Sequence, residues 1–532
     1  MKVFSSLERL FGDGPLPGRE RLEYYAIKGG SVCFQAVWSP ARGSALKIDA
    51  PADMTVDVFA VGDVPVEKDQ DGSGCLLRGG KAGEYPDVLF PLGPGGAVKL
   101  PDCGGTLRLW FEARVGESAN PGIYDVKIYT KETDGESETA VRVRVPDLVL
   151  PPQKLKFTNW FHCDCLATHY GCGVFSPEHW RIVGNYMRFA AAHGMNMILT
   201  PLFTPPLDTA VGSERPTAQL VGVKKPAPGR YEFDFSLLDR WIDLSLESGM
   251  EYFELSHLFT QWGARHAPKV IASTPSGEKR IFGWETRASG ETYRRFLSQL
   301  APQLMTFLDN KGVIGRCRLH VSDEPGRGDL ASYSRASGVV HELFPGLPTF
   351  DALSEPEFFE RGLVDIPVPI ESRYGDFSSV KTERWAYYCG GPNENDWLNR
   401  LIYFPGARIR GLGAALWQAR ADGFLHWGYD FWYTKGSTRA VDPYKETTAG
   451  SAFPAGDGFS VYPGEGGEPV PSVRLKNFRD GLTDMRVLDL LESREGRKKA
   501  EELLASSAGT VPSFNDYPRS SDFYDGLAGL IG

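Results

Sequence analysis

The chain has 532 residues, 42% of them hydrophobic, and a formal net charge of −10 at pH 7. A chain of this length and composition can bury large cores and typically forms two or more domains. Its acidic balance, with no basic run beyond a short patch at residues 494–499, argues against nucleic-acid binding through phosphate neutralisation.

The N-terminal residues, Met1 to Glu8, contain no apolar core of the kind found in secretory signals. No apolar run in the chain reaches about 18 residues, so the sequence predicts no membrane span. The eight cysteines are spread over the whole length, as in a reduced intracellular protein. If the chain is complete, these features predict a cytoplasmic protein with no membrane partner.

Residues 1–150 are predicted to form an N-terminal β-sandwich domain. Short alternating or apolar runs recur there, separated by Gly, Pro and Asp clusters at the spacing expected of a sandwich. These runs are residues 31–38, 54–61, 106–113, 122–129 and 139–145. The segment 147–152, with its double proline, is predicted to be a linker.

Residues 151–532 are predicted to form a (β/α)8 TIM-type barrel with C-terminal helices. The eight candidate strands are residues 156–162, 195–200, 252–257, 316–322, 348–352, 364–370, 385–389 and 413–417. Helical periodicity marks residues 176–194, 236–249, 290–310 and 471–492. A doubly wound open sheet is the alternative, although no Gly-rich phosphate turn follows the first strand.

Two adjacent acids, Asp323 and Glu324, follow the fourth predicted strand and are followed by Pro325. Two neighbouring carboxylates repel if both ionise, so one of them tends to take up a proton. One charged and one neutral carboxyl are what acid-assisted glycosidic cleavage requires. The rival interpretation, a nucleotide hydrolase, needs a Gly-x-x-x-x-Gly-Lys-Ser/Thr loop, and the sequence has none. Barrel enzymes build their sites at the carboxyl ends of the strands, so this position favours catalysis.

Three motifs in this order resemble the catalytic domain of glycoside hydrolase family 123. They are the Ser-Asp-Glu-Pro strand end at 322–325, GFLHWG at 423–428 and GDGFSVYPG at 456–464, the last followed by SVRL at 472–475 and RDG at 479–481. The β-rich N-terminal region resembles the accessory sandwich of the same family. The resemblance therefore covers nearly the whole chain.

The resemblance implies a retaining exo-β-N-acetylgalactosaminidase that uses substrate-assisted catalysis. In that reaction the substrate's own 2-acetamido oxygen attacks the anomeric carbon and gives an oxazolinium intermediate. By this match, Glu324 would be the general acid and then the base, and Asp323 would orient the acetamido N–H and remain charged. The implied partner is a carbohydrate with a terminal N-acetylhexosamine. No cofactor is expected, and the sequence is compatible with a homo-oligomer.

Aromatic and polar side chains after the strands are candidate sugar contacts, because the apolar face of a pyranose stacks on an aromatic ring. The predicted substrate-binding residues are His257, Trp262, Tyr374, Trp417, Trp427 and Trp432. Trp417 is predicted to end strand eight and to form the floor for the N-acetyl group, and Trp427 and Trp432 to follow in its loop. Ordinary barrel core is the alternative for all three.

A tyrosine hydroxyl commonly fixes the acetamido oxygen for attack. Tyr374 is favoured over Tyr387 and Tyr388 because it lies just past a predicted strand rather than within one. His320 lies inside strand four and is expected to be core. The polar loop at 204–219 is compatible with shaping the aglycone side or with plain scaffolding.

Potential metal ligands cluster at His162, Cys163, Asp164 and Cys165, with His169 and Cys172 close behind. Their spacing is not that of the usual zinc knuckle, and no second cysteine pair follows at a suitable distance. No metal site is predicted, although a metal-dependent hydrolase built on this segment stays an alternative.

Two further alternatives stay open. The enzyme could act on another sugar, such as N-acetylglucosamine or a glycoside without an acetamido group. In the latter case a distant carboxylate, such as Asp208, Glu254 or Glu371, would have to be the nucleophile. The chain could also be a carbohydrate-binding protein without catalytic activity.

Overall fold

The computed structural model describes residues 1–12, 14–67, 81–100, 105–132, 135–392 and 396–531. In the described part of the chain as far as Val145 the regular elements are strands, and strands and helices mix after it. Among the described residues, no helix combines the length and the apolar character needed to cross a bilayer.

The N-terminal region consists of two five-stranded sheets that share one hydrophobic core. Its strands are β1 (Lys2–Ser5), β2 (Glu23–Tyr25), β3 (Ser31–Trp38), β4 (Ala45–Asp49), β5 (Met54–Val66), β6 (Gly83–Pro94), β7 (Ala97–Val98), β8 (Leu107–Val115), β9 (Gly122–Glu132) and β10 (Gly135–Val145). One sheet has the order β1-β3-β8-β5-β6 and the other β2-β10-β9-β4-β7. Each of the five predicted runs overlaps one of these strands.

The second region is built on parallel strands. Its strands are β11 (Lys156–Asn159), β12 (Met197–Thr200), β13 (Gly222–Ala227), β14 (Arg230–Asp234), β15 (Tyr252–Leu255), β16 (Val270–Thr274), β17 (Gly277–Phe282), β18 (Cys317–Leu319), β19 (Phe350–Ala352), β20 (Ile366–Val368), β21 (Trp385–Tyr387), β22 (Gly423–His426), β23 (Val461–Pro463) and β24 (Pro469–Pro471). Six of them form a parallel sheet in the order β18-β15-β12-β11-β22-β21. β19 and β20 form a separate parallel pair.

Isolated parallel bridges join this pair to both edges of the six-stranded sheet, between Leu319 and Thr349 and between Ile370 and Tyr387. The predicted mixed α/β organisation with a β-rich N-terminal region is confirmed. A mixed insert of order β14-β13-β16-β17 stands beside the parallel strands, and the sequence patterns did not predict it. Its outer pairs are antiparallel, and β13 and β16 pair in parallel.

Helices alternate with the strands in the second region. They are α1 (Cys163–Tyr170), α2 (Pro177–Ala192), α3 (Ser236–Glu247), α4 (Glu291–Asn310), α5 (Leu330–Leu343), α6 (Pro356–Glu360), α7 (Gly406–Arg410), α8 (Leu412–Ala419), α9 (Val473–Glu495), α10 (Arg497–Ala508) and α11 (Ser521–Gly526). The side chain of Ser176 caps α2 by accepting from His179 N, with Pro177 in the first turn as predicted. Ser472 caps α9 in the same way.

The prediction of strand eight at residues 413–417 is wrong. These residues lie in α8, and the strand that pairs with β11 and β21 is β22. The segment is rich in Ala and Leu, both strong helix formers. Gly413 permits a close approach of α8 to α9, since a Cβ there would lie 1.7 Å from Gly481 O.

Buried ion pairs join the β-rich region to α9. Arg474 Nε lies 3.0 Å from Asp87 Oδ1, and Lys476 Nζ lies 2.6 Å from Glu112 Oε2. A cleft of about 690 Å³ runs along the same junction. The division into domains at residue 150 stays a prediction.

Candidate active site

A pocket of about 280 Å³ opens at the carboxyl ends of the parallel strands. It is lined by Trp160, Leu207, Asp208, Gln261, Trp262, Asp323, Glu324, Ala352, Tyr387, Cys389, Gly390, Leu425, Trp427, Lys435, Phe453 and Asp457. This is the face at which parallel α/β proteins place their ligands. Asp323 and Glu324 thus lie side by side in the lining of this cavity.

The backbone around the two acids is fixed from several strands. Glu324 N donates to Ala352 O at 2.9 Å, and Trp262 N donates to Asp323 O at 2.9 Å. Glu324 has φ +43°, in the left-handed region that non-glycine residues rarely adopt. Such strain costs about 1–3 kcal/mol and concentrates at functional sites.

The two acids differ in their surroundings. Asp323 is 7% exposed, and burial together with the neighbouring Glu324 raises its pKa well above the usual aspartate range. Within the described residues, no hydrogen bond reaches the carboxylate of Asp323. Glu324 accepts a hydrogen bond of 2.6 Å from Tyr387 Oη on Oε1. Asp323 therefore keeps its hydrogen-bonding capacity free for a bound molecule.

A third carboxyl, Asp457, lines the pocket beside Trp427. Trp427 Nε1 donates to Asp457 Oδ2 at 3.1 Å, while Oδ1 has no hydrogen-bond partner among the described residues. Burial raises the pKa of Asp457 to about 7, although the hydrogen bond from Trp427 works in the opposite direction. Oδ1 is itself buried, 3.6 Å from His426 Nε2, so any contact of Asp457 with a bound molecule would come from Oδ2.

The pocket mouth carries Trp262, which is 53% exposed and has φ +55°. Asp208 also lines the pocket, and its Oδ2 accepts a hydrogen bond of 3.1 Å from Gly436 N. Burial raises the pKa of Asp208. Of the polar loop at 204–219, Leu207 and Asp208 reach the pocket, whereas Arg215 is buried and forms a two-point ion pair with Asp164.

The structure does not bring four of the predicted substrate-binding residues into the pocket lining. Trp417 lies in α8 with Arg497 over its ring at 3.6 Å, and Trp432 is buried with its Nε1 3.4 Å from Val461 O. Tyr374 lies in a 3-10 helix, Glu371–Phe377, and donates to Ala419 O at 3.2 Å. His257 is buried beneath the pocket and stacks on His320, with a ring-centroid distance of 4.0 Å.

Trp262 and Trp427 do line the pocket together with the two acids. The tyrosine beside the acids is Tyr387, at the end of β21, rather than Tyr374. Sequence reasoning assigned no role to Trp160 or Asp457. Trp160 directly follows β11, so the rule that sites lie at strand ends could have found it. Asp457 belongs to a motif quoted above but comes from a long loop, where no local signal marks it.

The cysteine- and histidine-rich segment spans His162, which is the N-cap residue, α1, and the two residues that follow it. His162 Nε2 lies 2.9 Å from Trp427 O, and Asp164 is bound to Arg215. The six described cysteines, which include Cys163, Cys165 and Cys172, are free thiols. Burial raises the pKa of Cys163 and Cys165, which opposes formation of the thiolate that binds metals.

One group of potential ligand atoms does converge within the described residues, from His257, His320 and Asp351. The imidazole planes of the two histidines are nearly parallel, at 15°. Because imidazole lone pairs lie in the ring plane, two stacked rings cannot both direct them at one ion. The ring nitrogens of His320 are also both engaged with carboxylates.

Comparison with known proteins gives a consistent result. The family model described as glycoside hydrolase 123, catalytic domain, matches residues 160–491, which is more than half of the chain. A solved structure of a family 123 glycoside hydrolase from Clostridium perfringens, whose description concerns glycolipid glycan hydrolysis, aligns with a TM-score of 0.74 and 14% identity. The alignment covers 100% of this chain and 96% of that chain. This is a likeness of fold over the full length.

Weaker structural similarities were also found. The β-glucuronidase of Parabacteroides merdae gives a TM-score of 0.32 with 12% identity, over 85% of this chain and 50% of that chain. The endo-β-1,4-mannanase of Thermotoga petrophila gives 0.34 with 11% identity, over 63% of this chain and 77% of that chain. Similarity this low is not evidence of shared function. Among curated proteins, none is significantly similar to this chain.

Proposed function

Because the chain belongs to glycoside hydrolase family 123, we propose that it is a retaining exo-β-N-acetylgalactosaminidase that works by substrate-assisted catalysis. The observation that carries the proposal is the pairing of Asp323 and Glu324 in one small pocket, with the carboxylate of Asp323 free of protein donors. A buried free carboxylate suits an acetamido N–H, which it can hold and polarise.

In the first step, Glu324 donates its proton to the glycosidic oxygen while the acetamido oxygen of the substrate attacks the anomeric carbon. The C–O bond to the leaving group breaks, and the sugar becomes an oxazolinium ion. Asp323 accepts a hydrogen bond from the acetamido nitrogen and stabilises the positive charge that develops there. The raised pKa of Asp323 in the free enzyme means that this charged state is reached only as pH rises.

In the second step, Glu324 removes a proton from a water molecule that attacks the anomeric carbon. The oxazolinium ring opens, and the acetamido group and the original anomeric configuration are restored. Tyr387 holds one oxygen of Glu324 throughout, so that the other faces the glycosidic bond. The spacing rule for two protein carboxylates does not apply, since the nucleophile belongs to the substrate.

The remaining pocket residues supply binding. Trp427, oriented by Asp457, is proposed to pack against the sugar ring. Asp457 is proposed to accept a sugar hydroxyl at Oδ2, since Oδ1 is buried beside His426. Trp262 at the mouth is proposed to meet the aglycone. The Clostridium perfringens relative is described in terms of glycolipid glycans. A glycan with terminal β-linked N-acetylgalactosamine is therefore the proposed substrate class.

The fold proposal follows the strand pairings. The two parallel bridges beside β19 and β20 support a ring of eight strands, that is, a (β/α)8 barrel, in the order β11-β12-β15-β18-β19-β20-β21-β22. The N-terminal sheets are proposed to be an accessory β-sandwich. The cytoplasmic location stays a prediction.

A second candidate is a glycosidase with a protein nucleophile, acting on a sugar without an acetamido group. Of the three carboxylates considered from the sequence, Asp208 lines the pocket, whereas Glu254 and Glu371 do not. Asp208 is thus the residue that this alternative requires.

The first experiment compares hydrolysis of p-nitrophenyl β-N-acetylgalactosaminide, the N-acetylglucosaminide and plain β-galactoside by wild type, Glu324→Gln and Asp208→Asn. The proposal expects cleavage of the galacto-configured acetamido sugar, lost in Glu324→Gln and kept in Asp208→Asn. Equal turnover of the plain galactoside would refute it, because that sugar has no internal nucleophile.

A second experiment tests the nucleophile without changing the protein. Replacing acetamido hydrogens of the substrate by one, two and three fluorines makes the carbonyl oxygen progressively less nucleophilic. Substrate-assisted catalysis predicts a steep stepwise fall in kcat/KM along this series. A flat series would instead favour Asp208 as the nucleophile.

A further inference from the structure

A buried histidine, His320, lies beneath the pocket between two carboxylates. Its Nε2 is 2.6 Å from Glu254 Oε1, and its Nδ1 is 2.9 Å from Asp351 Oδ1. All three side chains are 0% exposed. His320 directly follows β18, on the segment that leads to Asp323.

Each carboxylate reaches a different wall of the pocket. Glu254 also accepts a hydrogen bond of 2.6 Å from Trp160 Nε1, and Trp160 lines the pocket. Asp351 accepts hydrogen bonds of 3.0 and 3.1 Å from the backbone N–H groups of Val321 and Ser322. These two residues immediately precede Asp323. His320 therefore connects an aromatic wall of the pocket to the backbone that presents the catalytic pair.

The hydrogen bonds define the protonation state of the ring. Glu254 accepts from Thr158 Oγ1 and Trp160 as well as from His320, and Asp351 also accepts from Tyr333 Oη at 2.5 Å. Such donors favour the charged form of a carboxylate; at Asp351 they oppose burial, which raises its pKa. A neutral imidazole would then turn one lone pair toward an anionic oxygen, whereas an imidazolium donates to both.

Glu254 on β15 and Asp351 on β19 contact His320 directly, and His257, after β15, stacks on its ring. Asp323 interacts with His320 through charge, and Tyr333 on α5 reaches it through Asp351. Burial lowers the pKa of His257, so its ring adds no charge to the stack. Burial alone would also lower the pKa of His320, but its two carboxylate partners raise the pKa to about 9. The positive charge of His320 lowers the pKa of Asp323, against the effects of burial and Glu324.

We propose that His320 is a positioning residue, charged at neutral pH, which holds the backbone before Asp323 and offsets enough negative charge beneath the pocket for Asp323 to ionise in the same pH range. The charge of the buried trio of Glu254, His320 and Asp351 is then −1 rather than −2. Because His320 lies behind Asp323, it leaves the pocket surface clear for substrate.

The charge is tested directly by long-range ¹H–¹⁵N NMR of the protein with ¹⁵N-labelled histidine, from pH 6 to 9. His341 is the other histidine with a raised pKa, through its partner Asp365, so the His341→Asn variant removes its signal. One imidazolium pattern should persist in that variant at pH 8. If every histidine is neutral there, the proposal is overturned, whatever sugar the enzyme cleaves.

The second measurement, which rests on the proposed function, is the pH profile of kcat/KM for His320→Gln, with His257→Gln as control. The control alters the same buried stack without removing a charge. Loss of the His320 charge should move the acidic limb of the profile to higher pH by about one unit, the lower end of the effect of a neighbouring opposite charge. The loss of kcat/KM in His320→Gln, relative to the wild type, should therefore be about tenfold larger at the acidic end of the profile than at the alkaline end.

An equal loss of activity at every pH, in a folded His320→Gln variant, would indicate a merely structural role and overturn the proposal. If that variant does not fold, the NMR measurement on His341→Asn decides the question. If no sugar is cleaved by the wild type, the proposed function fails, and the NMR result still stands on its own.

Discussion

Tyr387 Oη donates a hydrogen bond of 2.6 Å to Glu324 Oε1, across the pocket from the end of β21 to the segment after β18. The phenol is buried, and burial together with Glu324 keeps its pKa well above that of a free tyrosine. Tyr387 thus remains a hydrogen-bond donor throughout the working pH range. Because this hydrogen bond fixes Oε1 of Glu324, it also determines the direction in which Glu324 presents Oε2.

Replacing Tyr387 with Phe should lower kcat by about ten- to hundredfold. Glu324 becomes a carboxylate as it gives up its proton, and a hydrogen bond to a charged group is worth about 1.5–3 kcal/mol. The measurement is steady-state kinetics on the preferred aryl glycoside, together with thermal unfolding to show that the variant remains folded. Tyr388→Phe is the matched control, because the hydroxyl of Tyr388 has no hydrogen-bond partner among the described residues. Equal losses in both variants would contradict the assigned role.

The contrast between Tyr387 and Tyr374 shows what sequence patterns could and could not predict. The acids were recognisable because two adjacent carboxylates follow a strand and precede a proline. The choice of tyrosine depended on where each strand ends, and β20 ends at Val368 before the chain enters a 3-10 helix that carries Tyr374 to Ala419. Strand ends are the least certain part of a sequence-based prediction.

The tryptophans give a similar lesson. Trp427 follows β22 and reaches the pocket, whereas Trp417 belongs to a helix whose apolar run was interpreted as a strand. A short apolar run fits a buried strand or a buried helix equally well. Asp457 reaches the pocket from a loop after β22, and such long-range placement leaves no periodic pattern in the sequence.

Replacing Trp262 with Ala should raise KM by about two- to tenfold and leave kcat nearly unchanged. The exposed indole stands at the mouth, away from the breaking bond, and aromatic contacts contribute about 0.5–1.5 kcal/mol beyond simple burial. Kinetics with aryl glycosides of increasing aglycone size are the measurement, and the loss should grow with the aglycone. Phe90→Ala removes an exposed aromatic residue from β6 and should have no effect on KM. A fall in kcat alone would place Trp262 at the reacting centre instead.

Stability should fall as pH rises from 5 to 8, because of Asp430. Burial raises the pKa of Asp430 to about 8, and its Oδ2 has no partner among the described residues. The folded state keeps this proton while the unfolded state loses it near pH 4, so stability is full below that value. As pH rises from there through the folded-state pKa, the contribution of Asp430 to the free energy of unfolding is lost, by up to about 1.4 kcal/mol per pH unit.

The Asp430→Asn variant, which mimics the protonated acid, should therefore show a smaller difference in Tm between pH 5 and 8 than the wild type. Asp87→Asn is the contrasting control. Asp87 is buried and pairs with Arg474, whose Nε lies 3.0 Å from its Oδ1, so its neutralisation should lower Tm at both pH values. An Asp430→Asn variant with the same pH slope as the wild type would contradict the buried-proton interpretation.

Binding of N-acetylgalactosamine should tighten as pH rises through about 7, the pKa to which burial raises Asp457. The ionised carboxylate accepts a stronger hydrogen bond from a sugar hydroxyl at Oδ2 than the neutral carboxyl does, by about 1 kcal/mol. Asp457→Asn keeps an acceptor for Trp427 Nε1 but loses the charge. Its Kd should be weaker by about fivefold at pH 8 and should vary less with pH than that of the wild type. Calorimetric titration at pH 6 and 8 measures this, with Asp376→Asn, a change at an exposed carboxylate paired with Arg373, as control. Identical pH dependence in wild type and Asp457→Asn would assign the titration to Asp323 and leave Asp457 as a partner of Trp427 alone.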